Sequence, residues 1–303
     1  MASPQPLIKL MHLSYEEPLY RPPSEANNLI LQVTIGCRFN QCSFCSMYKE
    51  KNYRVKSIEE IQNDIDTALG LQPDTSRIFL ADGDAFNLHS TLLLEILHRL
   101  QQAFPKLTRV SCYATPANIL AKSEDELRLL KQNKLSLLYV GVESGANTLL
   151  KKITKGATQQ SIIKALKLAD NTGLKVSATI ILGLGGQQYW QEHITETVAL
   201  LNQAPVTYLS TLQLFLDKPS EAEFYEKFKD VFKPQTDDEI LLELSELIRQ
   251  LNPAKRVIFR SNHASNALAV AGNLPKDKER LLNEIKQAFE APSKLTARYL
   301  RSL

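Results

Sequence analysis

Six short apolar runs recur along the chain, each separated from the next by enough residues for one helix. They are Leu29–Ile35, Arg77–Ala81, Thr108–Ala114, Leu135–Val142, Lys175–Leu182 and Thr207–Leu214. Between them apolar residues return at helical spacing over Ser57–Leu69, Leu88–Phe104, Ser123–Gln132, Gln159–Thr172 and Gln188–Gln203. Strands joined by helices pair in parallel through right-handed crossovers. The runs are nearly continuous in apolar residues, as strands covered on both faces are. The pattern predicts an α/β fold, a partial (β/α)6 TIM-like barrel. Ser57 with Glu60 and Ser123 with Glu126 have capping-box spacing. Asn171-Thr172-Gly173 supplies a helix stop.

The alternation fades after Leu214. Residues 216–303 read as a mainly helical extension packed on the barrel, with helices over Ser220–Phe228, Asp237–Leu251 and Lys276–Phe289 and one short strand, Arg256–Arg260. The expected organisation is an N-terminal extension (1–27), a barrel (28–215) and this C-terminal extension (216–303). With 303 residues the chain can build a large core, and its 44% hydrophobic and 23% charged content excludes a disordered or collagen-like chain. No apolar run approaches the ~18 residues of a membrane-spanning helix, and no long apolar stretch follows a basic start. The cytoplasm is the expected compartment, with no membrane partner. The net charge of +3 is too small to indicate a polyanion. Its distribution is uneven: Asp217–Glu246 carries ten acids and four bases, Arg249–Leu303 eleven bases and four acids. We read the basic stretch as solvated helix surface, which leaves nucleic acid weakly supported as a partner.

Four cysteines are too few for a disulfide scaffold, and three of them, Cys37, Cys42 and Cys45, lie within nine residues. They follow the first apolar run, after Gly36, which lets the chain leave the strand sharply. Three thiolates in one loop can ligate three irons of a cubane cluster, with Phe39 and Phe44 placed to shield it. The same C-x4-C-x2-C spacing occurs in two-iron ferredoxins, which need a fourth cysteine. A zinc site would take His89 or Cys112 as its fourth ligand. Inert core cysteines are a third alternative, though Arg, Asn, Gln and Ser around them make a poor core strand.

Other strands also end in chemistry-bearing residues. The second ends Asp82-Gly83-Asp84, where carboxylates and open carbonyls suit an ammonium group and Gly83 permits close approach. The fourth ends Gly141-Val-Glu143-Ser144-Gly145, where a carboxylate can accept from vicinal hydroxyls. The fifth ends Ile181-Leu182-Gly183-Leu184-Gly185-Gly186, without the G-x-G-x-x-G form. In α/β barrels the loops after the strands converge on one face, so these elements would meet in one cleft.

On these residues the chain resembles the radical SAM enzymes, with a core similar to that of oxygen-independent coproporphyrinogen oxidases. The usual family signature is C-x3-C-x2-C after the first barrel strand, and this chain has x4 in place of x3. The resemblance covers about residues 28–215. It implies that Cys37, Cys42 and Cys45 hold a [4Fe–4S] cluster whose open iron chelates S-adenosylmethionine. It also implies that Asp84, then Asp82, and Gly83 hold the methionine amino group, that Glu143 and Ser144 reach the ribose, that Lys155 pairs with the carboxylate, and that Ile181 and Gly183 contact adenine. An external one-electron reductant such as flavodoxin or ferredoxin is implied, and the substrate is left open. A non-catalytic iron–sulfur or cofactor chaperone is the alternative on the same fold. Cys112 reads as buried packing.

The least determined segment is Ser261-Asn262-His263-Ala264-Ser265-Asn266. One reading has this loop cover the open side of the barrel and contact substrate, with His263 as donor or acceptor and Arg260 as an anchor for carboxylate or phosphate. The other makes it a capped turn closing the barrel. The C-terminal segment is expected to be the only one available to fill the lateral opening.

Overall fold

The computed structural model describes residues 13–229 and 232–301. The first apolar run splits at Val33 into β1 (Leu29–Gln32) and the two-residue β2 (Thr34–Ile35), which pairs antiparallel with β3 (Arg54–Val55) in a separate ribbon. The chain continues through α1 (Ile58–Leu71), β4 (Arg77–Ala81), α2 (Ser90–Ala103), β5 (Arg109–Tyr113), α3 (Pro116–Leu120), α4 (Glu124–Gln132) and β6 (Leu135–Glu143). Then come α5 (Asn147–Lys152), α6 (Gln159–Asn171), β7 (Lys175–Leu182), α7 (Gly186–Gln203) and β8 (Tyr208–Gln213). The last elements are α8 (Lys218–Phe228), α9 (Asp237–Gln250), β9 (Val257–Ser261), β10 (Val270–Leu274) and α10 (Lys278–Glu290). Both expected capping boxes form, at Ser57 and Ser123, each worth ~1 kcal/mol.

The main sheet runs β1-β4-β5-β6-β7-β8-β9-β10, parallel throughout except for the final antiparallel pair. Right-handed crossovers that always step the same way put every connecting helix on one face. The strands therefore divide their side chains between two apolar clusters. Leu31, Leu80, Val110, Leu138 and Val176 pack against helix residues such as Ile65, Leu97 and Leu166. Their strand neighbours Ile30, Phe79, Leu137 and Tyr139 form a smaller cluster with Tyr113 and Tyr208 on the opposite face. Cys112 is fully buried in the helix-side cluster, as packing.

All six expected strands are present in the expected order, and the sheet then continues past Leu214. β9, the one short strand expected in the extension, pairs in parallel with β8 through Tyr208↔Ile258 and Ser210↔Arg260. β10 turns back on it and was not expected, because Val-Ala-Gly-Asn-Leu carries two residues that disfavour strands. The sheet thus crosses residue 215 without a break.

The N-terminal segment also covers the face away from the helices, which corrects the expectation that only the C-terminal segment could do so. Tyr15 and Leu19 pack against the smaller cluster, and the Tyr15 hydroxyl donates to Ile30 O at 2.6 Å. Gln32 exchanges hydrogen bonds with the Glu16 backbone at 2.9 and 3.1 Å. A turn at Pro23–Glu25 places the fully buried Glu25 carboxylate where Tyr139 donates to it at 2.5 Å and Arg109 at 2.8 Å.

Candidate cofactor site

The cysteine loop leaves β2 through Gly36, whose φ of 74° is open to glycine without strain. The Gly36 N–H donates to Asp82 Oδ2 at 2.9 Å. The loop is pinned again where Asn40 Nδ2 donates to Tyr48 O at 2.8 Å and Ser43 N to Ile153 O at 3.0 Å. Phe44 packs into an apolar cluster with Ile153, Ile181 and Phe224, so α8 of the extension helps to hold it. Phe39 lies over Gly156, where a Cβ would fall 2.5 Å from the ring. Lys49 reaches Glu223 of α8 at 3.2 Å.

Cys37, Cys42 and Cys45 are free, partly exposed thiols. Burial pushes all three up, Cys45 to about 11, while Lys155 pulls Cys42 back down. A metal centre here must displace thiol protons, and a neighbouring ammonium favours that exchange. Among the described residues no three His, Cys, Asp or Glu side chains converge on a single ion. The zinc alternative loses its fourth ligand. The His89 ring caps α2, Nδ1 accepting from Thr91 N at 3.3 Å, and Cys112 faces the helices.

The strand-end residues gather around the loop. Glu143 sits at a β6 bulge with φ 62° and binds Lys155 Nζ at 2.8 Å, both side chains about nine-tenths buried. Burial alone would lower the Lys155 ammonium, but Glu143, Cys42 and Cys45 raise it. Asp84 is buried, and burial pushes its carboxyl up to about 7 against the pull of the Arg38 backbone and charge. Its Oδ1 has no hydrogen-bond partner among the described residues, nor have the buried Tyr48 hydroxyl and Asp82 Oδ1. Buried polar atoms are seldom left so. Three orphaned oxygens beside three thiols fit a site that takes a polar ligand and a thiolate-bound cluster.

Several residues serve the scaffold. Asp82 Oδ2 accepts from Gln32 Nε2 at 3.0 Å, Gly36 N at 2.9 Å and Lys51 Nζ at 3.0 Å. The close approach that Gly83 permits is that of the Tyr48 ring, 2.4 Å from where a Cβ would lie. Ser144 is fully buried, its hydroxyl 2.8 Å from His193 Nδ1 and accepting from Ala146 N at 3.0 Å. Gly183, at φ 80°, donates its N–H to Glu243 at 3.0 Å, while Ile181 is buried in the Phe44 cluster. Tyr48, His193 and Glu243 did not emerge from sequence reasoning. The available signal was a charged residue, Glu243, on the otherwise apolar face Ile240, Leu244, Leu247 of α9.

Arg260 and His263 are not seen against the thiols. Arg260 lies over the Tyr208 ring, 5.7 Å from its centroid, on the sheet face away from the helices. His263 Nδ1 accepts from the Ser265 N–H at 3.2 Å and lies 2.9 Å from its hydroxyl. Asn266 ties the loop to β8, donating to Thr211 O at 2.8 Å and accepting from Gln213 N at 2.7 Å. These bonds favour the capped-turn reading of Ser261–Asn266.

The chain is similar to known proteins in sequence and in fold. The chain matches the Radical SAM superfamily over residues 31–201. It is 24% identical over 181 residues to an uncharacterized methyltransferase of Pyrococcus horikoshii, covering 59% of this chain and 38% of that protein. The chain thus spans well under half the length of that relative. Among solved structures, the radical S-adenosylmethionine methyltransferase TsrM from Kitasatospora setae, with cobalamin and a [4Fe–4S] cluster bound, superposes with a TM-score of 0.55 at 16% identity. That match covers 87% of this chain and 61% of TsrM. Coproporphyrinogen III oxidase from Escherichia coli, a radical SAM enzyme, gives 0.54 at 18% identity over 74% of this chain and 52% of its own. These likenesses show the partial TIM-like barrel. With the family matched over more than half of its residues, the chain belongs to the radical SAM superfamily, enzymes that use a [4Fe–4S] cluster and S-adenosylmethionine.

Proposed function

We propose that the protein reductively cleaves S-adenosylmethionine to start radical chemistry on a substrate. The observation that carries this reading is the convergence of Asp84 and the Glu143–Lys155 pair on the loop of Cys37, Cys42 and Cys45. The three thiolates would hold the cluster, which supplies one electron to the sulfonium when bound. Asp84, with an open carboxylate oxygen, would receive the methionine ammonium. Glu143, freed in part from Lys155, would accept from the ribose, and Lys155 would turn to the methionine carboxylate. Phe39, over Gly156, and Phe44, packed against α8, would limit the access of water to the cluster. Arg260, the cation over Tyr208, is the group we assign to an anionic part of the substrate. The electron for cleavage would come from an external one-electron donor by way of the cluster.

The test is anaerobic reconstitution with iron and sulfide, then dithionite and S-adenosylmethionine. We expect three to four irons per chain and release of 5′-deoxyadenosine. A cluster-loaded protein that binds S-adenosylmethionine without cleaving it would instead support the chaperone reading.

A further inference from the structure

Behind the turns that follow β6 and β7 lies a polar cluster that no step above uses. His193 and Thr197 of α7 and Glu243 of α9 are fully buried. Gly145 N donates to Thr197 Oγ1 at 2.8 Å, and Gly183 N to Glu243 Oε1 at 3.0 Å. The His193 ring joins the two turns: Nδ1 lies 2.8 Å from Ser144 Oγ, and Nε2 3.1 Å from Ile181 O and 3.5 Å from Glu243 Oε1. The Ile181 carbonyl fixes the proton: it can only accept, so the ring proton sits on Nε2, and Nδ1 accepts from the Ser144 hydroxyl. Burial pushes His193 down to about 4, in keeping with a neutral ring. The turns also fit flush against their neighbours: a Cβ on Gly145 would fall 2.2 Å from Glu196 O, and one on Gly183 2.8 Å from Ile240 Cδ1.

We propose that His193 and Glu243 are positioning residues that lock the Ser144 and Gly183 turns at a fixed separation, so that α7 and α9 together set the affinity for S-adenosylmethionine. This rests on the function proposed above. Each turn ends a strand and carries a backbone N–H that needs an acceptor. α7 and α9 supply both acceptors from one cluster, so neither turn relaxes alone. Pre-organised turns cost the ligand less ordering when it binds.

The test compares His193→Leu and Glu243→Leu with His193→Gln and Glu243→Gln. Glutamine restores an acceptor and a donor at His193, and keeps the acceptor for Gly183 N–H at Glu243. Thr197→Val, which removes the Gly145 acceptor and leaves the Gly183–Glu243 bond in place, serves as a milder variant should the leucine variants not fold. S-adenosylmethionine affinity is read by equilibrium dialysis on cluster-loaded protein. Amide hydrogen exchange is read at both turns without the ligand. We expect the leucine variants to weaken binding about tenfold or more and to speed exchange at both turns, with cluster content unchanged. The glutamine variants should stay within about threefold of the parent, and Thr197→Val should fall between. Parental affinity in the leucine or valine variants, or faster exchange at one turn only, would overturn the proposal. A cluster-loaded parent that binds no S-adenosylmethionine refutes the proposed function instead, while the exchange data still judge the lock.

Discussion

Replacing Asp82 with alanine should destabilise the fold by about 3–5 kcal/mol, the usual cost of removing one partner of a buried ion pair. Asp82 is fully buried and the Lys51 side chain is 4% exposed. Without the carboxylate, the Lys51 ammonium keeps only the Glu16 carbonyl at 2.6 Å, and the Gly36 and Gln32 N–H groups lose their acceptor. At about 2 °C per kcal/mol for a chain of this size, the melting temperature should fall by roughly 6–10 °C. Adding Lys51→Met to the alanine variant should recover a large part of the loss, because no buried charge then lacks its partner. Urea unfolding of the four proteins in the double-mutant cycle gives the coupling directly. Since Gly36 opens the cysteine loop and Lys51→Met returns no acceptor to its N–H, iron uptake should fall in the single variant and stay low in the double even as stability recovers. Alanine at 82 within about 1 kcal/mol of the parent, with weakened S-adenosylmethionine binding, would refute the scaffold role and make Asp82 a ligand residue.

Three further outcomes follow. Cys42→Ala should abolish the visible absorbance of the reconstituted cluster, whereas Cys112→Ala, in the helix-side core, should keep it; a full cubane in Cys42→Ala would refute the ligand set. Glu143→Gln should weaken S-adenosylmethionine binding about 10–150-fold, the loss of one charged hydrogen bond, measured by dialysis with cluster content held equal. His193 should make stability pH-dependent: its folded value near 4 lies below the unfolded 6.5, so its contribution is complete above pH 6.5 and is lost as pH falls toward 4. The full effect is roughly 3 kcal/mol. Glu243, raised by burial to about 8, acts oppositely, losing stability as pH rises from 4.5 toward 8. Between pH 4.5 and 6.5 the two effects oppose each other, so urea midpoints should be nearly flat in the parent and should fall with rising pH in His193→Gln, where only the Glu243 effect is left.

The parts of this protein legible in the sequence are those written locally. Ser57 and Ser123 announce their helices because a cap and its partner lie three residues apart. The cysteine spacing announces a thiolate centre because all three ligands share one loop. Asp84 and Glu143 were readable as strand-end acids. The division of labour between Asp82 and Asp84 was not, since it depends on Lys51 and Gln32 arriving from other elements. His193 and Glu243 were hidden for the same reason: on a helix, a lone histidine or acid has no local partner to reveal its task. β10 was missed because its pairing with β9, rather than its own residues, makes it a strand.

The Glu25 carboxylate sets an order for folding. Its partner Tyr139 lies 114 residues further along, and Arg109 lies 84 further. Closing so long a loop costs only slightly more entropy than closing a short one, but the contact gives no reward until β5 and β6 exist. At roughly 5–20 residues per second, a ribosome needs about 6–23 s to travel from Glu25 to Tyr139. During that interval Tyr15 and Leu19 have no completed sheet to lie against, and Glu25 stays in water. The segment before β1 therefore waits for β6, and a chain stalled before β6 would present those side chains to any chaperone or protease it meets.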